Sequence, residues 1–200
     1  MSDPRSTRGF SMTEVLLALA LVSIVAGFAM ASVLPEVRQT HDEAAARYVL
    51  TRVRQARAEA LQRATNVGIR FEAQEQFRVY ADGNSNGLRT RDIDEGVDPP
   101  LGPAQRLEHD FAGAKFGIAS TLPPIEPGGD RLDAGADPIR LGASRILSFG
   151  PTGRGSSGTL YIRGPGPGEQ QYAIRIYGPT GRVRLMQFRR SGGQGQWVER

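Results

Sequence analysis

A run of oxygen-bearing side chains is the first group of residues whose types and spacing could do chemistry. Asp82, Asn84 and Asn86 alternate along the chain and are followed by Gly87. Alternating oxygen ligands and a glycine that permits a sharp turn form the first half of a calcium-binding loop. The second half departs from this pattern, because its twelfth position, where a bidentate acid belongs, is Ile93. These residues are a candidate calcium site, and a hairpin turn rich in Asn and Asp is the alternative.

Arg182 and Arg184 form a second group, within a Gly-Arg-Val-Arg sequence. On a strand the two side chains would project from one face about 6 to 7 Å apart, a spacing that suits a phosphate backbone. Residues 81–138 carry 11 acids and 5 bases, whereas residues 139–200 carry 10 arginines and 2 glutamates. This basic end suits nucleic acid, an acidic lipid or an acidic partner surface. The alternative is that both arginines face solvent and pair with the acidic loops.

Side chains for catalysis are few. The absence of cysteine excludes disulfides, cysteine-ligated zinc and a cysteine nucleophile. The two histidines are His41, in a helical pattern, and His109, in the polar sequence Glu108-His109-Asp110. Neither has a partner at the spacing of a known catalytic or metal motif. We therefore expect a protein that is not an enzyme and that needs no cofactor.

Glu14 is a third candidate for a functional role, because it stands at the edge of an apolar run. No residue from Val15 to Pro35 carries a charge, and as a helix this run spans about 30 Å, the thickness of a bilayer core. An unpartnered carboxylate there costs about 2.5 to 3.5 kcal/mol. Basic residues before the run predict a cytoplasmic N-terminus.

Three interpretations compete for this run. It is a secretory signal cleaved after Ala29-Met30-Ala31, or a simple membrane anchor in which Glu14 reaches the headgroups, or an anchor in which Glu14 has a charged partner. The apolar stretch is longer than that of a cleaved signal, which favours an anchor.

The elements that must position these residues follow the run. Residues 36–66 have an apolar stripe at helical spacing, and Pro35 is expected to kink or end the helix before them. The members of the stripe are Ala45, Val49, Val53, Ala56, Ala60 and Ala64. From residue 67 the pattern alternates, which predicts half-buried antiparallel strands. Two segments rich in Gly, Pro and Asp, residues 82–110 and 120–138, are predicted loops. The fold class is therefore α+β, with a long N-terminal helix packed on a small antiparallel β-sheet domain.

One short motif occurs twice in the C-terminal half. Phe149-Gly-Pro-Thr-Gly-Arg154 recurs as Tyr177-Gly-Pro-Thr-Gly-Arg182. A Pro-x-Gly turn between an aromatic strand end and a basic strand start predicts a hairpin at each copy.

Residues 9–17, GFSMTEVLL, resemble the leader junction of type IV pilins and type II secretion pseudopilins, G-F-[ST]-x-[ST]-E-x-[LM]. The resemblance implies that a prepilin peptidase removes residues 1–9 by cutting after Gly9, and that the amine of Phe10 is then methylated. It also implies that Glu14 pairs with the terminal amine of a neighbouring subunit in a filament. Such a pair would make two charges tolerable in lipid.

The order of elements resembles the H-type minor pseudopilins (GspH) and the related FimT-like minor pilins. The resemblance implies a pilin-like fold with a transmembrane, filament-core helix at 10–35, an amphipathic helix at 36–66 and a periplasmic sheet domain at 67–200. It implies a single pass through the inner membrane, with other pseudopilins and an inner-membrane assembly platform as partners in protein export across the outer membrane. For a FimT-like minor type IV pilin, the alternative, it implies that Arg182 and Arg184 bind DNA for uptake.

Overall fold

The computed structural model describes residues 11–72, 76–126, 128–164, 170–191 and 194–200, and within the first helix it describes the side chains outside 28–40. The chain divides into two compact units, residues 1–37 and 38–200. Its helices and strands are, in order, α1 Met12–Arg63, β1 Val67–Glu72, β2 Gln76–Ala81, α2 Thr90–Asp94, β3 Gln105–Arg106, α3 Leu107–Asp110, β4 Lys115–Phe116, β5 Ile139–Arg140, β6 Ile146–Phe149, β7 Gly158–Arg163, β8 Gln171–Tyr177, β9 Arg182–Ser191 and β10 Gln194–Glu199. The predicted α+β class is confirmed.

Helix α1 covers most of the two helical segments predicted at 10–35 and 36–66. It continues through Pro35, so a helix end at that residue was the wrong expectation. One missing backbone donor weakens a helix locally but does not stop it when the turns on both sides are formed. The helix ends at Arg63 because Ala64 adopts a left-handed conformation with φ 52°. Ala64 is consequently exposed, and its predicted place on the buried stripe is wrong.

The remaining stripe of α1 packs on two antiparallel sheets. Sheet A has the strand order β3-β2-β1-β6, and sheet B has the order β10-β9-β8-β7-β4, with β5 also paired to β7. Val49, Val53 and Ala60 are fully buried. The strand side chains in the same core include Ile69, Phe71, Phe77, Phe149, Leu160, Ile162, Tyr172, Ile174 and Leu185. The main core therefore lies between α1 and the inner face of the sheets.

A second, smaller core covers part of the outer face of sheet B. Leu122 and Leu132 pair through a β-bridge with two backbone hydrogen bonds, and both side chains are buried. Around them lie Ile118, Tyr161, Ala173 and Phe188, with Trp197 packed at the edge. The predicted loop at 120–138 is thus a folded flap, since its leucines bury apolar surface that β7, β8 and β9 would otherwise expose.

The repeated motif forms two different connections. Its second copy joins β8 to β9 as a hairpin, as predicted. Its first copy also turns the chain back on itself, since Phe149 pairs with Gly155 in an antiparallel bridge, before the chain passes from β6 in sheet A to β7 in sheet B. Gly153 and Gly181, at equivalent positions, both have positive φ, and the N–H of Gly155 donates to the carbonyl of Gly178 at 2.9 Å. The two copies therefore pack on each other.

Candidate functional site

The first turn of α1 contains a capping box. The backbone N–H of Glu14 donates to Ser11 Oγ at 3.2 Å, and the Glu14 carboxylate accepts from the backbone N–H of Ser11 at 3.5 Å. This reciprocal pair satisfies two donors at a helix start, which the spacing Ser-x-x-Glu could have predicted. The Glu14 carboxylate therefore lies beside the N-terminal end of the helix. Gly9 and Phe10, the predicted cleavage and methylation site, lie outside the described residues.

The large apolar side chains near Glu14 are exposed in the described part of α1. Large side chains from Met12 to Val25 are exposed, including Leu17 at 65% and Val25 at 66%. Among the residues that the structure describes, no helix combines the length and the apolar character needed to cross a membrane. Exposed apolar clusters of this size mark sites of association. This segment therefore has an apolar face that is available for packing against another surface.

The loop at 82–98 is held together by its own carboxylates. Asp82 accepts hydrogen bonds from the Asn66 amide at 2.8 Å and from the backbone N–H of Gly87 at 2.7 Å. The side-chain amide oxygen of Asn84 accepts from the backbone N–H of Asn86, and the side-chain amide of Asn86 donates to the Asp92 carboxylate. Asp98 is fully buried and accepts from two further backbone N–H groups.

These donors favour the hairpin-turn interpretation over calcium. Burial alone would raise the pKa of Asp82, but the hydrogen bonds from Asn66, Gly87, Asn84 and Ser85 together lower it. A calcium ion would have to displace the N–H groups that already face these oxygens. Within the described residues, no group of three or more His, Cys, Asp or Glu side chains is placed to hold a metal ion.

Arg182 and Arg184 lie where the sequence predicted, on one face of a strand. Cross-strand pairing places Tyr177 beside Arg182 and Arg175 beside Arg184, all on the outer face of sheet B. Like charges directly opposite each other in a sheet are destabilising unless an acid compensates them. Two acids do so: Glu126 holds Arg175 through two hydrogen bonds of 2.9 and 3.0 Å, and Glu199 lies 3.5 Å from Arg184.

An open cavity of about 710 Å³ surrounds these side chains, and we call it the arginine groove. Its lining residues are Arg57, Ile125, Glu126, Arg175, Tyr177, Thr180, Arg182, Arg184 and Met186. Arg57 comes from α1 and donates to the carbonyl oxygens of Gly153 at 3.0 Å and Thr180 at 3.3 Å. The sequence alone did not indicate four residues near the groove, because all of them lie outside the Gly-Arg-Val-Arg motif and only folding brings them to it. They are Arg57, Glu126, Arg175 and Glu199.

The alternative prediction, that Arg182 and Arg184 pair with the acidic loops, is wrong. Arg175, outside the motif, pairs with Glu126 from the acidic region. Arg182 and Arg184 instead share Glu199, at 3.8 and 3.5 Å, and their side chains remain 60% and 41% exposed.

Asp42 is a buried carboxylate that sequence analysis did not single out. Its residue is 5% exposed, and its Oδ1 atom has no hydrogen-bond partner among the residues that the structure describes. The carboxylate packs against Gly164 so closely that any side chain there would collide with it. Burial raises the pKa of Asp42 to about 6, against a smaller opposing effect of His41.

The two histidines lie on different helices, and both are exposed. His41 is exposed on α1, and His109 is exposed on α3, where Nδ1 lies 3.1 Å from the neighbouring Asp110 carboxylate. Glu108, in the same short helix, is also at the surface.

Two family models match the chain. Residues 4–30 match the prokaryotic N-terminal methylation motif, and residues 45–180 match the family of the type II transport protein GspH. No curated protein sequence matches the chain. A crystal structure of the minor pseudopilin EpsH from the type II secretion system of Vibrio cholerae aligns with a TM-score of 0.45 and 16% identity, covering 74% of this chain and 94% of that one. Since the GspH match alone includes more than half of the residues, the chain belongs to the GspH family of type II transport proteins.

Proposed function

We propose that the chain is a minor pseudopilin, a subunit of the pseudopilus of a type II secretion system that supports protein export across the outer membrane. The observation that carries this proposal is the exposed apolar face at the start of α1, with Glu14 in its first turn. A helix of this kind gains stability by packing its apolar surface against neighbouring helices. Membership of the GspH family supports the same role, which is structural and not enzymatic.

The N-terminal segment is proposed to anchor the protein in the inner membrane. In this proposal a prepilin peptidase cuts after Gly9, the amine of Phe10 is methylated, residues 10–35 cross the membrane once, and residues 67–200 lie in the periplasm. The match of residues 4–30 to the methylation motif supports it. Mass spectrometry of the mature N-terminus tests it, with N-methylphenylalanine at Phe10 expected. A mature chain that starts at Ser32 would instead show a cleaved secretory signal.

Glu14 is proposed to pair with the terminal amine of a neighbouring pseudopilin during assembly on the inner-membrane platform. Its carboxylate already lies beside the helix start, where such an amine would approach. Site-specific crosslinking of the full chain to the other pseudopilins tests the pair. Glu14→Gln is expected to reduce crosslinking and secretion strongly, because an amide leaves the amine uncompensated in lipid. The control Glu59→Gln, which removes a partly exposed acid that pairs with Arg63 on the same helix, should change neither. An equal loss in both variants would refute the pair.

DNA binding by Arg182 and Arg184 remains a second candidate. The observation that favours DNA binding is that both side chains are exposed side by side on β9. The Glu199 carboxylate beside them disfavours it, because it would repel a phosphate group. A gel-shift assay with the full chain in neutral detergent tests it. Salt-sensitive binding that is lost in the double variant Arg182→Ala and Arg184→Ala would support uptake of DNA. An unshifted band at low salt would remove this candidate.

A further inference from the structure

We propose that the arginine groove binds an acidic peptide segment of a partner protein, one in which carboxylates alternate with apolar side chains. This interaction is separate from the helix packing proposed above, and it would give the periplasmic domain its own recognition surface. The arguments rest on charge, on a contact that the chain makes with itself, and on the apolar part of the groove.

The cations of the groove exceed its anions. Arg57, Arg175, Arg182 and Arg184 line or border it, whereas the carboxylates in contact with them are Glu126 and Glu199. The hydrogen bonds of Arg57 described above go to carbonyl oxygens, which orient the guanidinium without neutralising it. The two arginines of β9 share a single acid. The groove therefore attracts further carboxylates, and guanidinium groups bind these with paired hydrogen bonds.

The flap of this chain already makes one contact of the proposed kind. Ile125 packs against the small core on the outer face of sheet B, and the next residue, Glu126, holds Arg175 with two hydrogen bonds. An apolar side chain beside a carboxylate thus occupies one end of the groove. The remaining part of the groove could bind a second such pair, because Arg182 and Arg184 lie beside the apolar surface of Tyr177 and Met186. An extended segment with the same alternation would continue the contact along the strand.

The lining of the groove favours a peptide over nucleic acid. Glu126 and Glu199 stand on the groove, and they would repel the continuous phosphate charge of a DNA strand. Peptide carboxylates are separated by neutral residues, so they can bind the arginines between these acids. Tyr177, which is 51% exposed, and the half-buried Ile125 and Met186 supply apolar surface for the intervening side chains.

Fluorescence anisotropy with the full chain in neutral detergent tests the proposal. The probe is a fluorescein-labelled peptide of sequence GELEIELEG, and the matched peptide GQLQIQLQG lacks its charges. We expect saturable binding of the acidic peptide that weakens as salt rises, and no binding of the neutral one. Arg184→Ala should weaken binding about tenfold through loss of a charge-assisted pair, and Arg184→Lys should weaken it less because the charge remains.

Arg190→Ala is the matched control. It removes an arginine of the same strand and the same face that stacks on Phe188 outside the groove, and it should leave binding unchanged. Thermal unfolding of each variant shows whether it is folded. Equal binding of the two peptides, equal loss in the two alanine variants, or binding of oligo-dT without binding of the acidic peptide would each overturn the proposal.

Discussion

At the scale of single residues, Asp42 has the most unusual environment. An acid whose folded-state pKa is raised to about 6 binds a proton in the folded chain at pH values where the unfolded chain, with an ordinary value near 3.8, has released it. Folding therefore becomes less favourable as pH rises from about 4 to about 6, and the deficit persists above that range. The cause is the cost of burying a carboxylate with an unsatisfied oxygen.

Asp42→Asn is expected to remove this dependence. The neutral amide has no charge to desolvate, so the free energy of unfolding at pH 7.5 should rise by up to about 3 kcal/mol, whereas at pH 4 the variant and the parent chain should differ little. Urea denaturation at a series of pH values measures both. Glu43→Gln, on the next residue, controls for the loss of an acid from the same turn. A variant that is less stable than the parent at pH 7.5 would contradict this account.

Asp82 leads to a prediction about metal. Because its carboxylate is already hydrogen-bonded to N–H groups, calcium at millimolar concentration should not raise the melting temperature of the chain relative to a chelator. Asp82→Ala should destabilise the fold by about 1 to 3 kcal/mol with or without calcium, because Gly87 and Asn66 lose their acceptor. Stabilisation by calcium that disappears in Asp82→Ala would restore the metal-site interpretation.

At the scale of elements, the two copies of the Gly-Pro-Thr-Gly turn act as one unit. Gly181 has φ +63°, and a side chain on it would collide with the carbonyl oxygen of Gly153 and with Arg57. The turns therefore need glycine both for their conformation and for their close approach. Arg57 then connects them to α1, which places a cation from the helix at the edge of the groove.

Gly181→Ala should therefore be costly. We expect a loss of about 2 to 4 kcal/mol, from the left-handed conformation and from separation of the two turns, measured by urea denaturation. Gly102→Ala is the matched control, because a methyl group there meets open space. Similar stability of the two variants would show that the turns do not depend on their contact.

At the scale of the whole molecule, the proposed topology has a direct test, because the chain contains no cysteine to interfere with labelling. Arg91→Cys places a thiol on a side chain that is 82% exposed, and a membrane-impermeant maleimide should label it once the outer membrane is permeabilised. Ser23→Cys, in the apolar segment, should react only after detergent is added. A thiol at residue 91 that reacts only when the inner membrane is broken would contradict a periplasmic domain.

Charge at this scale is arranged by folding more than by sequence order. The acidic and basic halves of the chain suggested that acidic loops would cover Arg182 and Arg184. Instead Glu199, from the basic end itself, lies between them, while the acidic loop at 82–98 uses Asp82 and Asp98 to bind its own backbone. Charge counts over long segments therefore did not predict which acids meet which arginines.

The sequence by itself determined what depends on neighbouring residues: the leader motif around Gly9, the capping box of Glu14, the buried stripe from Ala45 to Ala60 and the alternation of the strands. These follow from local spacing, since helix and strand periods place such residues on one face. Only the tertiary structure decided that the flap covers the outer face of sheet B, that Asp42 is buried against Gly164, and that Arg57, Arg175, Glu126 and Glu199 surround Arg184. These contacts join residues far apart in the chain, so they depend on sheet order and on the packing of α1, which no local pattern specifies.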